Sequence, residues 1–482
     1  MRILTDEATL REFSRDAGMI QARPLAVHVA ESESDVLETL AMAEDRGVPV
    51  TPRGGGTSIP SQSVGKGILL IQERRAVSLP DARTAVCEPS VVKADLNRTL
   101  SSAGRWMPVD PSSFNACTIG GMVANNSSGS RSLKYGSTIE YVSSMRVAIP
   151  GGGVREFKEA KVGDALAEGG VAARVASALM DSRREIEDER PRVTKNSCGY
   201  RLERVLHDGL LDLPKLFVGS EGTLGVVTQV SLRTLPKPPE RILLVAETSL
   251  TELDRAVLAF RKAGPSALEL LDKSVFARTG REKRIAPYSR TEDQYLVFCE
   301  IETPTSKARE DALERVSSSW AAGTEPLVLE SQGDIARAWE VRNETLTVAG
   351  EIRDGAKILL PGVEDLTVPP ERLGDLVRFM VDAFESRGLQ YITYGHAGDA
   401  NLHMRPLLDP EGPGGRRVLR ELMQECFEFV WGMKGSITGE HGDGMLRAEY
   451  VRGQYPKTYS VMKAIRRLFD PKETLSPGVK IV

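Results

Sequence analysis

Histidine and carboxylate residues cluster in two short, glycine-rich segments of this sequence. Histidine is scarce, with five residues among 482, yet the segment YGHAGDANLH contains His396 and His403, and the segment GEHGDG contains Glu440 and His441. Imidazole and carboxylate together form a normal ligand set for zinc or a similar divalent ion. One interpretation is a metal site of His396, His403 and Glu440 with an open position for a substrate. The other is a metal-free site for acid–base chemistry and hydrogen bonding.

Two loops of small residues lie earlier in the chain. Residues 52–58 read PRGGGTS and follow an apolar run, and residues 109–137 are crowded with glycine, alanine and serine. Glycine lets main-chain N–H groups approach an anionic or planar ligand and also tolerates positive φ. Neither loop has the spacing of the GxGxxG or Walker motifs. The two loops therefore indicate a ligand clamp, for example for a pyrophosphate, outside the Rossmann and P-loop classes.

Three segments carry a family resemblance. PRGGGTS, the run DPSSFNACTIGGMVANNSSGSRSLKYG at 110–136 and GSEGTLGVV at 219–227 resemble the FAD-binding half of the vanillyl-alcohol-oxidase-type (PCMH-type) flavoproteins. The chain resembles in particular the FAD-linked 2-hydroxy-acid dehydrogenases, which include cytochrome-type D-lactate dehydrogenase, the glycolate oxidase flavin subunit and D-2-hydroxyglutarate dehydrogenase. Relatives with a covalent flavin carry histidine near Thr57, so the resemblance implies non-covalent FAD. The residues it assigns to FAD are Pro52, Arg53, Gly54, Gly55, Gly56, Thr57, Ser58, Pro111, Thr118, Gly120, Gly121, Ala124, Asn125, Ser128, Gly129, Glu221, Gly222 and Val227.

The same resemblance assigns roles to the two histidine segments. It implies a divalent metal at His396, His403 and Glu440, with zinc as the first choice and manganese or iron as alternatives. It also implies that His441 is the catalytic base. A neutral imidazole has an ordinary pKa of about 6.5 and can accept a hydroxyl proton near physiological pH.

Three residues are candidates for binding the substrate. Arg342 matches the arginine that binds the substrate carboxylate, a task suited to a planar, bidentate cation. We expect Lys357 and Asn401 to be further substrate residues. Leu346 stands where 2-hydroxyglutarate dehydrogenases have a polar residue that helps to bind substrate. This difference favours a smaller or more apolar acid such as lactate.

The implied reaction is the oxidation of a D-2-hydroxy acid to the 2-oxo acid, with hydride transfer from Cα to flavin N5. D-lactate is the first expected substrate, followed by D-2-hydroxyglutarate and glycolate. The alternatives are a flavin oxidase that uses O2 on another alcohol, and a flavin subunit that is active only with an iron–sulfur partner. The five cysteines include no CxxC pair, which argues against an iron–sulfur cluster in this chain. Electrons are therefore expected to pass to an iron–sulfur subunit, cytochrome c, an electron-transfer flavoprotein or a quinone.

The composition limits the other partners. The formal net charge is −4 and no basic stripe interleaved with aromatics is visible, which argues against nucleic acid. No run approaches the ~18 to 20 apolar residues of a spanning helix. We therefore expect a cytoplasmic protein, a location compatible with peripheral attachment to a membrane.

A chain of this length predicts two or three domains. We expect an α+β fold: a two-lobed PCMH-type FAD domain (1–237), a cap domain with an antiparallel sheet covered by helices on one side (238–432), and a C-terminal segment that returns to the FAD domain (433–482). A helix at 34–46 has Ser32 or Ser34 as its expected N-cap. Periodicity predicts strands at 26–30, 48–52, 67–71, 141–150, 154–157, 243–248 and 294–301, and further helices at 91–103, 172–190, 250–263, 306–321 and 371–387.

Overall fold

A computed structural model describes residues 1–320 and 325–482. Its strands form a four-stranded sheet, a seven-stranded sheet and a nine-stranded sheet, together with a two-stranded ribbon. Helices pack on these sheets, and the mixture of helices with largely antiparallel sheets confirms the predicted α+β class.

The four-stranded sheet begins the chain. Strands β2, β4 and β3 run parallel, and β1 joins them antiparallel at the edge. Ser32 caps the first long helix in a capping box with Asp35, one of the two caps that the sequence offers. The elements of this lobe are β1 (Arg2–Leu4), α1 (Glu7–Glu12), β2 (Ala26–Ala30), α2 (Glu33–Arg46), β3 (Val50–Arg53) and β4 (Ile68–Gln72).

The seven-stranded antiparallel sheet forms the second lobe, in the order β10-β11-β9-β8-β12-β6-β5. Its strands are β5 (Val77–Ser78), β6 (Thr84–Cys87), β8 (Val142–Ile149), β9 (Gly153–Lys161), β10 (Leu206–His207), β11 (Leu210–Asp212) and β12 (Val226–Arg233), and the ribbon pairs β7 (Arg105–Trp106) with β13 (Leu235–Pro236). The helices are α3 (Lys93–Ser102), α4 (Ile119–Asn125), α5 (Ser132–Tyr135), α6 (Val162–Glu168), α7 (Gly170–Asp181), α8 (Arg183–Glu189) and α9 (Pro214–Phe217). The helical region predicted at 172–190 therefore begins at residue 170 and is divided into two helices, α7 and α8.

The nine-stranded sheet lies in the second half of the chain, in the order β17-β14-β16-β15-β21-β22-β19-β18 with β20 also paired to β22. Its strands are β14 (Arg241–Thr248), β15 (Ala267–Asp272), β16 (Tyr295–Glu302), β17 (Leu327–Leu329), β18 (Arg353–Asp354), β19 (Lys357–Leu359), β20 (Leu366–Thr367), β21 (Tyr391–His396) and β22 (Asn401–Leu408). The helices are α10 (Leu253–Arg261), α11 (Ser274–Arg278), α12 (Glu282–Ile285), α13 (Ser306–Ser319), α14 (Gln332–Ala349), α15 (Leu373–Glu385) and α16 (Pro413–Gly432). Residue 321, the predicted end of one helix, lies outside the described residues.

Helices cover both faces of this sheet, whereas the sequence predicted one covered face. Side chains alternate between the faces of a strand. Leu244 on β14 accordingly packs into the core that contains α10, α13, α15 and α16, and its neighbour Leu243 packs into the core that contains α11, α12 and α14. The second face is where α14 brings its side chains towards β21 and β22.

The last fifty residues contact both halves of the molecule through two short helices, α17 (Val451–Gln454) and α18 (Tyr459–Phe469), and the loops around them. Leu475 forms a parallel bridge to Val50, and the N–H of Ser476 donates to the Val50 carbonyl at 2.8 Å. Ser436 bridges to Thr367 on β20. The expected domain limits at 237 and 432 stay predictions.

The described residues include no helix that is both long and apolar enough to cross a membrane. The cytoplasmic location stays a prediction. All five cysteines are buried and free.

Candidate active site

Three adjoining cavities lie beside the glycine-rich loops, and two of them are lined by residues from both halves of the chain. The first, here the slot, has a volume of about 90 Å³ and lies beside β4, α4 and the loop that precedes β12. The second, the loop cavity, has a volume of about 630 Å³ and is lined by both glycine-rich loops. The third, the inner cavity, has a volume of about 620 Å³ and lies beneath α14. The slot and the loop cavity share Gly54 and Asn125, and the loop and inner cavities share Glu440 and His441.

Every residue that the resemblance assigns to FAD lines one of these cavities. The slot has Pro52, Arg53, Gly54, Ser58, Thr118, Gly120, Gly121, Ala124, Asn125, Glu221, Gly222 and Val227 in its wall, and the other two add Gly55, Gly56, Thr57, Pro111, Ser128 and Gly129. Side chains that the sequence did not assign, among them Gln62, Gln72 and Pro89, complete the slot.

Glycine is required in the first loop because the two loops touch. A Cβ atom on Gly55 would lie 2.3 Å from the carbonyl oxygen of Ala116, and one on Gly54 would lie 2.5 Å from Oγ1 of Thr118. Gly222 at the opposite wall has φ +73°, a conformation that other residues rarely adopt. The walls are therefore main chain and small side chains, which fits a flavin nucleotide that lies along the backbone.

Some of the predicted flavin residues use their side chains to hold other parts of the protein. Arg53 donates to the carbonyls of Arg15 at 2.8 Å and Ser63 at 3.2 Å. Glu221, which is buried with φ +54°, accepts two backbone N–H groups of the C-terminal segment at 2.8 Å each. Only the backbone of Glu221 therefore remains for a ligand in the slot.

The Glu440 cluster, defined as Glu440 with His396, His403 and His441, stands where the loop and inner cavities meet. One carboxylate oxygen of Glu440, Oε1, lies 3.0 Å from Nε2 of His396, 3.4 Å from Nε2 of His403 and 3.6 Å from Nε2 of His441. The other oxygen accepts from Lys195 at 3.1 Å and from Ser128 Oγ at 2.8 Å. Burial alone would raise the pKa of Glu440, but His396 and Lys195 hold that pKa well below its usual value.

Two buried carboxylates lie behind the histidines, and the sequence did not identify either. Glu269 on β15 lies 2.8 Å from Nδ1 of His396. Glu364 lies 3.5 Å from Nδ1 of His403 and 2.7 Å from Nδ1 of His441, in charge contacts without hydrogen-bond geometry. The sequence contained a signal for Glu269, because this acid stands in the middle of the otherwise apolar segment ALELL of β15. A buried acid in such a strand needs a partner.

These carboxylates shift the histidines towards the charged form. Burial would lower the pKa of His396, but Glu269 and Glu440 outweigh it and raise that pKa to about 9. Burial likewise opposes the charge of His441, whereas Glu364 and Asp365 raise its pKa. Without a metal, His396 is therefore an imidazolium held between two carboxylates.

The cluster also has the donor set of a divalent metal site. Asp365, His403, Glu440 and His441 have ligand atoms within 4.8 Å of one another, a group that omits His396. Both oxygens of Asp365, however, already accept hydrogen bonds, including those from Thr438 Oγ1 at 2.5 Å and the His441 N–H at 2.8 Å. Asp365 thus positions the loop, whereas the three histidine Nε2 atoms converge on Glu440 Oε1. Carboxylates behind ligating imidazoles are typical of metal centres.

The predicted substrate residues lie in different places. Arg342 on α14 lines the inner cavity, where Nη2 pairs with Glu269. Lys357 is exposed on β19 and lies 3.4 Å from Asp354, outside the cavity wall. Asn401 is fully buried and donates to Asp365 Oδ1 at 3.1 Å. The structure therefore brings Arg342 to the cavity but neither Lys357 nor Asn401.

Buried ion pairs join the two halves of the chain at the inner cavity. Arg131 from the first half contacts Asp110 at 2.6 Å and Glu300 on β16 at 2.8 Å. Glu300 also accepts from Trp339 Nε1 at 2.9 Å and lies 3.3 Å from Arg241. These contacts fix α14 against the loop at 110–136.

Two family models match the sequence. Residues 237–479 match the FAD linked oxidases, C-terminal domain, and residues 24–158 match an FAD binding domain. Among solved structures, p-cresol methylhydroxylase with substrate bound superposes with a TM-score of 0.71 at 13% identity, covering 100% of this chain and 94% of that one. This likeness confirms the predicted PCMH-type fold.

Curated relatives extend along nearly the whole chain. Glycolate oxidase subunit GlcD of Bacillus subtilis (strain 168) is 28% identical, over 97% of this chain and 91% of that protein. D-lactate dehydrogenase of Archaeoglobus fulgidus is 28% identical, over 93% and 89% respectively. D-2-hydroxyglutarate dehydrogenase of Pseudomonas putida is 27% identical over 99% of this chain but 50% of that protein, so the chain spans half of that relative. With an FAD-binding model in its first half and the oxidase model over residues 237–479, the chain belongs to the FAD-linked oxidases.

Proposed function

We propose that this chain is an FAD-dependent dehydrogenase that oxidises a D-2-hydroxy acid to the 2-oxo acid. D-lactate is the first substrate to test, followed by D-2-hydroxyglutarate and glycolate. The main observation in support is that Glu440 and His441 line both the loop cavity and the inner cavity. A candidate metal ligand, Glu440, and a candidate base, His441, thus lie where the loop cavity, which would hold the flavin, meets the inner cavity, which would hold a small substrate. The names of the three relatives support the 2-hydroxy-acid class.

The glycine-rich loops would hold the cofactor. Bound FAD would accept a hydride from the substrate, and the slot and the loop cavity offer it a wall of main chain and small side chains. Thr57 lines the loop cavity and lacks the imidazole of covalent relatives, so we propose that the flavin is not covalently attached.

The Glu440 cluster would hold a divalent cation through His396, His403 and Glu440, with zinc first and manganese or iron as alternatives. Such an ion would lower the pKa of the substrate hydroxyl. Lys195 and Ser128 fix the second oxygen of Glu440, so the first oxygen stays directed at the histidines. Glu269 holds Nδ1 of His396 and leaves Nε2 for the site.

His441 would remove the hydroxyl proton at Nε2. Glu364 lies 2.7 Å from Nδ1, and this charge contact favours a proton on that nitrogen and leaves Nε2 as the acceptor. The same carboxylate stabilises the imidazolium that forms when Nε2 takes the proton. Because the raised pKa of His441 keeps it protonated at low pH, flavin reduction should accelerate as pH rises. The electrons would then pass to a separate acceptor, either a protein or a quinone.

The test is anaerobic mixing of the FAD-loaded protein with D- and L-2-hydroxy acids, with and without a chelator. We expect a D-acid to bleach the visible flavin absorbance rapidly. A chelator should abolish this bleaching, and a divalent ion should restore it. His441→Ala should lose reduction by about 10²- to 10⁴-fold while it retains FAD. His207→Ala, on the distant β10–β11 hairpin, is the matched control and should keep the wild-type rate. Failure of every acid to reduce bound FAD would contradict the proposal.

A further inference from the structure

Arg405 lies in the wall of the proposed active site and has no carboxylate partner among the described residues. It lies on β22 two residues after His403, so both side chains emerge on the same face of the sheet. It lines the loop cavity and the inner cavity together with Glu440 and His441. Nε and Nη2 are buried, and neither has a hydrogen-bond partner among the described residues. Its guanidinium lies 5.9 Å from the ring centre of Tyr394, which supplies no counter-charge.

The other arginines of the inner cavity each have a carboxylate partner. Arg131 pairs with Asp110 and Glu300, and Arg241 pairs with Glu300. Arg342, the arginine expected to bind the substrate carboxylate, pairs with Glu269. Burial of a charge without a partner is costly, and ionised groups in protein interiors are normally paired. A bound anion would remove this cost at Arg405.

The rest of the wall indicates what that anion carries. Apolar side chains face the inner cavity from α14 and from the loop at 110–136, and Leu346 lies at the junction with the loop cavity. The apolar lining includes Ile59, Phe114, Ile335, Trp339 and Leu346, and uncharged polar residues such as Asn115 and Asn343 lie beside them. Among the described residues that line the inner cavity, every arginine other than Arg405 has a carboxylate partner. This wall thus offers one free cation among apolar and uncharged polar side chains.

We propose that Arg405 binds the carboxylate of the substrate, and that the site takes a 2-hydroxy monocarboxylic acid whose side chain is apolar. Arg342 then serves as a positioning residue that holds Glu269 against His396. A second carboxylate on the substrate would find no other arginine in the inner cavity free of a carboxylate partner, and would lose hydration without gaining a counter-ion. The inference rests on the proposed oxidation of a 2-hydroxy acid, but the anion site itself is measurable without turnover.

The binding test uses a 2-oxo acid, the product class, on the oxidised FAD-loaded protein. Titration with 4-methyl-2-oxopentanoate and with its amide, followed by the perturbed flavin spectrum, gives two dissociation constants for each variant. Arg405→Met should weaken binding of the acid by about 10- to 100-fold and leave binding of the amide nearly unchanged. Arg405→Lys should retain part of the preference for the acid. Arg342→Met should preserve the ratio of acid to amide affinity. Flavin content per chain confirms that each variant is folded.

Three results would each overturn the assignment. The ratio of acid to amide affinity could be unchanged in Arg405→Met, it could be lost in Arg342→Met instead, or the wild-type protein could fail to bind the acid.

A turnover test addresses the substrate class. D-2-hydroxy-4-methylpentanoate should reduce the flavin with a higher kcat/KM than D-2-hydroxyglutarate, and the reverse order would refute the monocarboxylate class. If no hydroxy acid reduces the flavin while the 2-oxo acid still binds through Arg405, the proposed oxidation fails and the anion site stands.

Discussion

The loop cavity and the Glu440 cluster lie next to each other, yet different parts of the chain form them: main chain in the first and ionisable side chains in the second. The loop cavity takes its shape from main chain and small residues, as where Gly55 touches the Ala116 carbonyl. The Glu440 cluster consists of ionisable side chains, and buried charged residues from distant segments, Lys195 and Glu269, contact its members.

The two regions should therefore fail for different reasons. A cavity made of backbone is damaged by added atoms, because close-packed main chain has no room for them. A cluster of buried charges is damaged when one charge is removed, even if the shape is kept, because its partners are left unpaired. Substitutions that add a methyl group and substitutions that remove a charge can separate the two regions experimentally.

The largest effect is expected from Glu440→Gln, which keeps the shape but removes the charge that faces three histidines and Lys195. Flavin reduction by the best hydroxy acid should fall by about 10³-fold, which corresponds to several kcal/mol. Anaerobic stopped-flow absorbance measures the rate, and the flavin content per chain should stay at the wild-type value. Loss of FAD from this variant would show that the two regions are not separable.

Glu269→Gln should have a smaller effect on the same region. Glu269 lies behind His396 and pairs with Arg342, so its loss should weaken metal affinity by about 10- to 100-fold. Competition with a chromogenic chelator gives the affinity. Glu351→Gln removes an equally arginine-paired but exposed carboxylate and should leave the affinity unchanged. Equal affinities in the two variants would refute the role of Glu269.

Gly55→Ala tests the other side of the comparison. The added methyl would lie 2.3 Å from the Ala116 carbonyl oxygen, and such overpacking costs about 1–3 kcal/mol. FAD should dissociate about tenfold more readily, as measured by the fluorescence of released flavin on dilution, while metal affinity is unchanged. Gly163→Ala in α6 meets no atom within 4 Å and should retain FAD normally. Normal FAD retention by Gly55→Ala would contradict the packing argument.

The smallest effect is a pH dependence of the metal-free protein. The pKa of His396 is raised from 6.5 to about 9, so the stability from its ion pairs is fully present below 6.5 and is lost as pH rises through 9. The melting temperature of chelator-treated wild-type protein should therefore approach that of His396→Gln across this interval. A constant difference between the two proteins from pH 6.5 to 9 would show that His396 is not charged in the folded state.

The sequence predicted the loop cavity better than the Glu440 cluster, because the loop cavity depends on patterns between residues that are close in sequence. Glycine runs, the Ser32 cap and the alternation of apolar residues are all visible within a few positions. The two histidine segments were equally visible, and the structure brings them together at Glu440.

The partners of the histidines could not be predicted, because strand register and helix packing determine them. Glu269 meets His396 through the pairing of β15 with β21, across 127 positions of sequence. Position along β22 separates Asn401, which is buried against Asp365, from Arg405, which reaches the cavity. Lys357 matches the family pattern in sequence, yet an exposed strand carries it away from the site.

The bridge between Val50 and Leu475 has a consequence for biosynthesis. Domains generally fold in order as the ribosome releases them, but the edge of β3 receives its last partner from near the opposite end of the chain. The buried carboxylates of Glu221 and Asp443 likewise pair with the ammonium of Lys480, at 3.1 Å and 2.5 Å, so both need a residue that is synthesised later. The first lobe therefore lacks these contacts until the segment at 475–480 has been synthesised, and chaperones can bind its unpaired strand edge in that interval.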